Sequence, residues 1–215
     1  MIGMQMLHAV ALGLPLTILV TVLSLGLGTV LALPLVAGLR SGNRAVWLFT
    51  RGIVDLLRGI PPVVWLFILY YGVSLGALRM SALQAAVIGL GLVSAAYLAE
   101  IFRGAIGSVH QGQWEASSAL GFRRGALWAR IIGPQAWRTA IPAYTAYGIG
   151  LLKDSSIAST IGVAEIVFFS NQYARQSGEG IFVFFIAAGV YILLSMPLGM
   201  LSRHLDTKLR KAVAR

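Results

Sequence analysis

Long apolar runs make up most of this chain, and the polar residues gather in short stretches between them. A helix needs about 20 apolar residues to cross the hydrocarbon core of a bilayer, and continuous runs of this length are typical of helices rather than of alternating barrel strands. Five runs predict five membrane-spanning helices, at about residues 10–39, 60–78, 81–102, 139–169 and 181–202. No repeat or linker interrupts the series, so residues 1–215 are expected to form a single all-α integral membrane domain.

The amino-acid composition is that of a membrane protein. Hydrophobic residues make up 58% of the 215 positions and charged residues only 11%, whereas a soluble domain carries about 25% charged residues. There is no cysteine, which excludes disulfide bonds and the metal sites that need thiolates. His8, His110 and His204 are scattered without the spacing of metal ligands, so no metal site is predicted.

The basic residues are concentrated in three segments that follow or join the predicted spans. Because Lys and Arg accumulate on the cytoplasmic side, the net charge of +10 is a signal of topology. It places the N-terminus and the Arg79 and Arg175 loops outside and the C-terminus inside. The basic residues are not interleaved with surface aromatics, so no nucleic-acid partner is expected, whereas anionic lipid heads would attract them. The three clusters are Arg40, Arg44, Arg51 and Arg58, then Arg103, Arg123, Arg124, Arg130 and Arg138, and finally Arg203, Lys208, Arg210, Lys211 and Arg215.

The stretch "NRAVWLFTRGIVDLLRGIPP" between the first two spans has the pattern of an amphipathic helix. Arg44, Arg51 and Arg58 share one face with an acid, while apolar residues cluster on the other. Such a helix is expected to lie in the membrane interface until Pro61–Pro62 turns the chain inward. A simple surface anchor and a role in gating are both consistent with this pattern.

The longest polar stretch joins the third and fourth spans and reads "GQWEASSALGFRRGALWARIIGPQAWRTAIP". Residues 115–120 are good helix formers, and Gly121 is predicted to end that helix in a left-handed cap. A second short helix is predicted over 123–132, broken by Gly133–Pro134. Two short helices joined by a glycine elbow have little core of their own, so we expect this protrusion to dock on a partner.

The loop and its neighbours resemble a known family. The order Glu-Ala-Ser, three residues, Gly121, nine residues, Ile131 and then Pro134 is similar to the EAA loop of ABC transporter permeases. Two residues of the loop depart from that motif, since Ser117 replaces an Ala and Gly133 replaces a Leu. In the fourth span, Ala146 stands where relatives usually carry an Asn. The resemblance covers about residues 13–169 and is closest to the polar amino acid, histidine/glutamine permease-like branch. Further stretches that carry it are "GLPLTILVTVLSLGLG", "LLRGIPPVVWLFILYYG", "AAYLAEIFRGAI", "PQAWRTAIP" and "LLKDSSIASTIGVAEI".

This resemblance implies a type I ABC importer fold in a multi-pass protein of the bacterial inner membrane. The loop at 112–136 would be a cytoplasmic coupling element seated on a separate ATPase subunit. ATP and Mg would be bound there, because this chain has no Lys followed by Ser or Thr and hence no phosphate-binding loop. Other implied partners are a second permease copy or homologue, an extracytoplasmic binding protein, and a polar amino acid or close derivative as substrate. The residues expected to contact the ATPase are Glu115, Ala116, Ser117, Ala119, Leu120, Gly121 and Phe122.

Two charged residues inside the fourth predicted span are candidates for the substrate path or gate. Lys153 and Asp154 are followed by two hydroxyls, Ser155 and Ser156, and charges at membrane depth are costly and usually functional. The alternative is a mutually neutralising pair at a subunit interface. Tyr97 and Glu100, at the end of the third span, are further candidates for the path. For Glu100, an ion pair with Arg103 one turn away is an equally good interpretation.

Two other function classes compete with an importer subunit. A stand-alone channel or secondary transporter would need no ATPase and would use Lys153 and Asp154 as an ion or proton relay. An intramembrane enzyme would need a serine–histidine or paired-aspartate arrangement at membrane depth. No His lies within a predicted span centre, and Asp154 has no acidic partner there. The sequence therefore favours a transport subunit that is not itself an enzyme.

Overall fold

The computed structural model describes residues 2–72, 80–178 and 180–213, and within these ranges the regular structure is helical. Two π turns, Ile68–Gly72 and Trp128–Ile132, and a 3-10 segment, Ser155–Ile161, extend or join α-helices. The α-helices are α1 Ile2–Leu12, α2 Leu14–Leu39, α3 Arg44–Gly59, α4 Pro62–Phe67, α5 Ala82–Gly107, α6 Gln111–Ala119, α7 Arg124–Leu127, α8 Gly133–Asp154, α9 Ile166–Ser177 and α10 Gly180–Val213.

Helix α5 lies at the centre of the bundle and packs closely against α2. A Cβ atom added at Gly28 would overlap the side chain of Ser94, and one added at Gly91 would lie 2.7 Å from Leu27. Small residues at such contacts let helix backbones approach each other, which is how helices associate where there is no hydrophobic effect between them. The other sides of α5 are covered by α3, α4 and α8.

Three helical segments in the described ranges are long and apolar enough to cross a membrane, namely Gly3–Leu39, Ala82–Gly107 and Gly180–Met200. They correspond to the first, third and fifth predicted spans. Helix α3 and the segment Pro62–Gly72 meet at an angle of 97° and together count as a possible fourth. The rest of the second predicted span, with Arg79, lies outside the described residues, as does Arg215.

The predicted fourth span, a continuous helix over 139–169, is wrong. Helix α8 begins earlier, at Gly133, and ends at Asp154. The chain then forms a 3-10 segment whose hydroxyls bond carbonyls three residues back, and Gly162 stops it with a φ of 91°. The fifth predicted span, 181–202, agrees with the apolar segment Gly180–Met200, and helix α10 itself continues to Val213.

The amphipathic helix predicted between the first two spans is confirmed as α3. Asn43 caps it by accepting a hydrogen bond from the backbone N–H of Ala45 at 2.9 Å, a common N-cap arrangement. Thr50, Val54 and Leu57 are its buried residues, and they face α2 and α5. Pro61 and Pro62 then redirect the chain into α4, as expected.

Candidate coupling and translocation site

Helix α6 ends in a glycine elbow of the predicted kind. Gly121 has a φ of 70°, in the left-handed region that favours glycine. The N–H of Phe122 donates to the carbonyl of Ser117 and the N–H of Gly121 donates to that of Ser118, each at 3.1 Å. This pair of bonds is the Schellman arrangement, which satisfies the last carbonyls of a helix. The left-handed cap predicted at Gly121 is therefore confirmed.

The break predicted at Gly133–Pro134 is wrong. Helix α7 passes through the π turn Trp128–Ile132 directly into α8, with Gly133 in helical geometry. The N–H of Gly133 reaches back to the carbonyl of Trp128, and a Cβ atom at Gly133 would lie only 2.5 Å from that oxygen. Pro134 then lies in the first α-helical turn of α8, a position that tolerates proline.

The residues predicted to contact an ATPase form one protruding surface, with a single exception. Leu120 is 76% exposed and Phe122 38% exposed at the tip, and Glu115 is exposed on the preceding turn. Ala116, Ala119 and Gly121 are exposed as well. Ser117 is buried, and its hydroxyl donates to the carbonyl of Gln113 at 2.6 Å. The small side chain at this position therefore packs inward and supports the elbow.

Helix α6 is tied to the bundle by aromatic and polar contacts. The rings of Trp114 and Trp128 meet edge to face, with centroids 5.4 Å apart. The guanidinium of Arg40, at the end of α2, lies 5.8 Å from the ring centre of Trp114. The amide of Gln135 on α8 donates to the side-chain oxygen of Gln113 at 3.3 Å. A displacement of α6 would therefore act on both α2 and α8.

Tyr97 is the exposed residue in an otherwise covered part of α5. Its side chain is 37% exposed, although residues 93–96, 98 and 99 are buried. Its ring stacks on that of Tyr147 of α8 with centroids 5.5 Å apart, and the guanidinium of Arg58 lies 4.9 Å from its ring centre. The hydroxyl of Tyr147 donates to the hydroxyl of Ser94 at 2.9 Å, which holds the Tyr147 ring in place.

Glu100, one turn further along α5, joins two helices through ion pairs. Its carboxylate lies 2.6 Å from Arg103, the pairing that the sequence suggested. The other oxygen lies 2.6 Å from Arg51 of α3, which also pairs with Asp55 at 2.9 Å. The contact with Arg51 was not predicted, because helical spacing identifies the polar face of α3 but not the helix that it meets. Glu100 thus holds α3 against α5.

Lys153 and Asp154 both lie exposed at the end of α8, and neither forms an ion pair with another described residue. Ser155 points inward, is buried and donates to the carbonyl of Leu152 at 2.7 Å, while Ser156 is half-buried. Lys153 is six residues beyond Tyr147, or about 9 Å along the helix. The predicted path residues form a line along α5 and α8 rather than one cluster.

One buried acid was missed by the sequence analysis. Glu165 is fully buried, and its carboxylate caps α9 by accepting from the N–H of Phe168 at 2.7 Å. Its other oxygen accepts from the hydroxyl of Tyr191 on α10 at 2.9 Å. The hydroxyl of Thr17 accepts from the N–H of Ile166 at 3.2 Å. The signal available in the sequence was an acid directly before the apolar run of α9, where a negative charge stabilises the N-terminus of a helix.

Comparison with known proteins connects these features to a family. A family model described as "Binding-protein-dependent transport system inner membrane component" matches residues 24–211. The probable amino-acid permease protein YxeN of Bacillus subtilis (strain 168) is 43% identical over 146 residues, which span 66% of this chain and 65% of that relative. The L-cystine transport system permease protein TcyB of the same organism is 34% identical, over 94% of this chain and 87% of the relative.

A solved structure shows the same fold. The crystal structure of an amino acid ABC transporter with histidines matches with a TM-score of 0.86 and 27% identity, covering 94% of each chain. The resemblance inferred from the loop between the third and fourth spans is thereby confirmed. This chain belongs to the family of binding-protein-dependent transport system inner membrane components, and it is a permease subunit of the ABC importer type rather than an enzyme.

Proposed function

We propose that this chain forms half of the translocation path of an ATP-driven importer for polar amino acids or their close derivatives. The names of the relatives support this substrate class, since they include an amino-acid permease and an L-cystine permease. We place the chain in the bacterial inner membrane with the N-terminus outside and α6 in the cytoplasm, because the arginines around α6 then obey the positive-inside rule. ATP and Mg would be bound and used by a separate subunit.

The observation that carries the proposal is the exposed tip of α6. Leu120 and Phe122 present apolar surface beyond the bundle, next to the charge of Glu115. Apolar residues held out by a rigid turn are characteristic of a surface that enters a partner's groove. A cytoplasmic ATPase subunit is the occupant that fits a permease. Its motion would reach α2 through Arg40, the π turn through Trp128 and α8 through Gln135.

The substrate path is proposed along the exposed side of α5 and α8. An amino acid carries an ammonium and a carboxylate, and Lys153 and Asp154 supply opposite charges that are exposed and form no ion pair among the described residues. Tyr97 offers an exposed aromatic ring that stacks on Tyr147 of α8. We propose that a second permease, identical or homologous, covers this surface and encloses the path. An extracytoplasmic binding protein would deliver the substrate.

Uptake into proteoliposomes tests the proposal. The chain is purified with its co-eluting ATPase and reconstituted with the binding protein, and labelled amino acids are offered with ATP inside or with an ion gradient alone. We expect uptake that needs ATP and stops when the ATPase is inactivated. Uptake that follows the gradient without ATP would instead establish the alternative of a secondary transporter, for which the relatives offer no support.

A further inference from the structure

A cavity of about 660 Å³ opens at the α6 end of the bundle, between α2, α5 and α8. This volume is in the range of small-molecule sites, roughly 300–1,000 Å³. Its walls are mainly aliphatic and aromatic, and they include Phe102, Trp128 and Trp137. The last two are 39% and 47% exposed. The cavity is separate from Tyr97 and Lys153, which do not line it.

One charged side chain, Arg40, is among the lining residues. Arg40 is exposed, and its guanidinium lies over the ring of Trp114. It forms no ion pair with an acid among the described residues. The hydroxyl of Thr29, at the other end of the cavity, is already occupied, because it donates to the carbonyl of Leu25 at 2.7 Å and shares a bond with Tyr144 at 3.0 Å. The cavity therefore has one cationic side chain, Arg40, at its α6 end and mainly apolar walls between α2, α5 and α8.

The length of the cavity matches one leaflet of a bilayer. Thr29 and Arg40 are both on α2, eleven residues apart, which corresponds to about 16 Å along the helix. Half of the hydrocarbon core of a bilayer is about 15 Å thick. Tryptophans are enriched at the boundary between headgroups and hydrocarbon, and Trp128, whose ring meets Trp114 of α6, lies at the α6 end of this groove.

From this geometry we propose that an anionic glycerophospholipid binds in the cavity. Its phosphate contacts the guanidinium of Arg40, and one acyl chain lies between α2, α5 and α8 as far as Thr29. Since Arg40 also contacts Trp114 of α6, the bound headgroup lies one side chain away from the coupling helix. The site rests on the orientation proposed above but not on the identity of the transported substrate.

Native mass spectrometry of the detergent-purified permease, with any co-eluting subunits, tests this site. Phosphatidylglycerol and phosphatidylcholine with the same acyl chains are titrated separately. We expect phosphatidylglycerol to be retained more tightly by the native chain. Arg40→Gln should lower its affinity about fivefold, the effect of removing one basic contact to an anionic headgroup. The matched control is Arg44→Gln, since Arg44 is exposed but does not line the cavity.

A second variant tests the apolar part of the site. Ala37 lines the cavity and is exposed on α2, so Ala37→Phe should fill the groove without disturbing the core. It should displace phosphatidylglycerol, whereas Ala45→Phe, at an exposed position of α3, should not. Equal affinity for the two lipids, or equal losses in Arg40→Gln and Arg44→Gln, would overturn the proposal. So would loss of permease pairing in Ala37→Phe with unchanged lipid binding, because a second protein chain would then cover the groove.

Discussion

The N–H of Phe122 donates a hydrogen bond to the carbonyl of Ser117, 3.1 Å away across the glycine elbow. This bond closes the end of α6 and turns the chain so that Leu120 and Phe122 face outward together. The geometry depends on Gly121, whose φ of 70° is unfavourable for residues with a side chain. The elbow is therefore the most specific structural requirement of the proposed coupling surface.

Gly121→Val should abolish transport while leaving membrane insertion intact. A β-branched residue resists the left-handed conformation, at a cost on the order of 1–2 kcal/mol or more, and the simplest relief is to unwind the last turn of α6. Uptake and co-purification of the ATPase measure the effect. Gly121→Asn is the matched control, because Asn tolerates this conformation, and it should retain most activity. Normal uptake by Gly121→Val would remove the elbow from the coupling mechanism.

The charges of Lys153 and Asp154 should be needed for transport but not for folding. Both side chains are exposed on the single chain, so Lys153→Ala and Asp154→Ala should insert and unfold thermally much like the native protein, yet lose uptake. The double variant Lys153→Met with Asp154→Leu separates a pathway role from a structural one. We expect it to assemble and bind its ATPase but not to transport, and near-normal uptake would mean that the pair serves only to join subunits.

Glu100→Gln should loosen α3 from α5. The substitution removes both ion pairs of a carboxylate that is 16% exposed, and the expected loss is about 1 kcal/mol, because the arginine partners are partly exposed and screened. Asp55→Asn is the control, since it removes only the i,i+4 pair with Arg51 on the surface of α3. Thermal unfolding in detergent compares the two. A melting temperature lowered equally in both variants would contradict the assigned role of Glu100.

Gly13→Ala should destabilise the chain, whereas Gly26→Ala should not. A Cβ atom at Gly13 would overlap the backbone of Glu165 and Ile166, while one at Gly26 meets nothing within 4 Å. Since Ala favours a helix over Gly by up to about 1 kcal/mol, Gly26→Ala should be neutral or stabilising. Melting temperatures of the two variants measure the difference. If Gly13→Ala melts no lower than Gly26→Ala, the chain does not pack closely enough between Gly13 and the start of α9 to exclude a methyl group.

Local signals predicted the parts of the fold that depend on neighbouring residues. Pro61–Pro62 marked the end of α3, and Gly121 marked the elbow. Prediction failed where a local signal was ambiguous. Pro134 suggested a break, but a proline in the first turn of a helix is tolerated, and the preceding π turn with Gly133 makes room for it. Gly162 ends the 3-10 segment that follows α8. It lies inside a continuous apolar run, so the sequence did not predict a helix end there.

Contacts between distant parts of the chain were largely beyond the sequence. Arg51 and Glu100 are 49 positions apart, and helical periodicity gave each a polar face without pairing the faces. The burial of Glu165 depends on Tyr191, 26 positions later. By contrast, Glu100 and Arg103 were paired from sequence because three positions on one helix are neighbours in space. The family itself was identified from motif order, which requires no knowledge of packing.

Cross-linking through a single thiol tests most directly that α6 is the cytoplasmic coupling helix. The chain has no cysteine, so Leu120→Cys and Arg175→Cys each carry one reactive group, in α6 and near the end of α9 respectively. In intact cells, Leu120→Cys should resist an impermeant thiol reagent and, with a bifunctional reagent that crosses the membrane, cross-link to the ATPase subunit. Arg175→Cys should show the reverse pattern. Labelling of Leu120→Cys from outside, with no cross-link to the ATPase, would contradict both the orientation and the coupling mechanism.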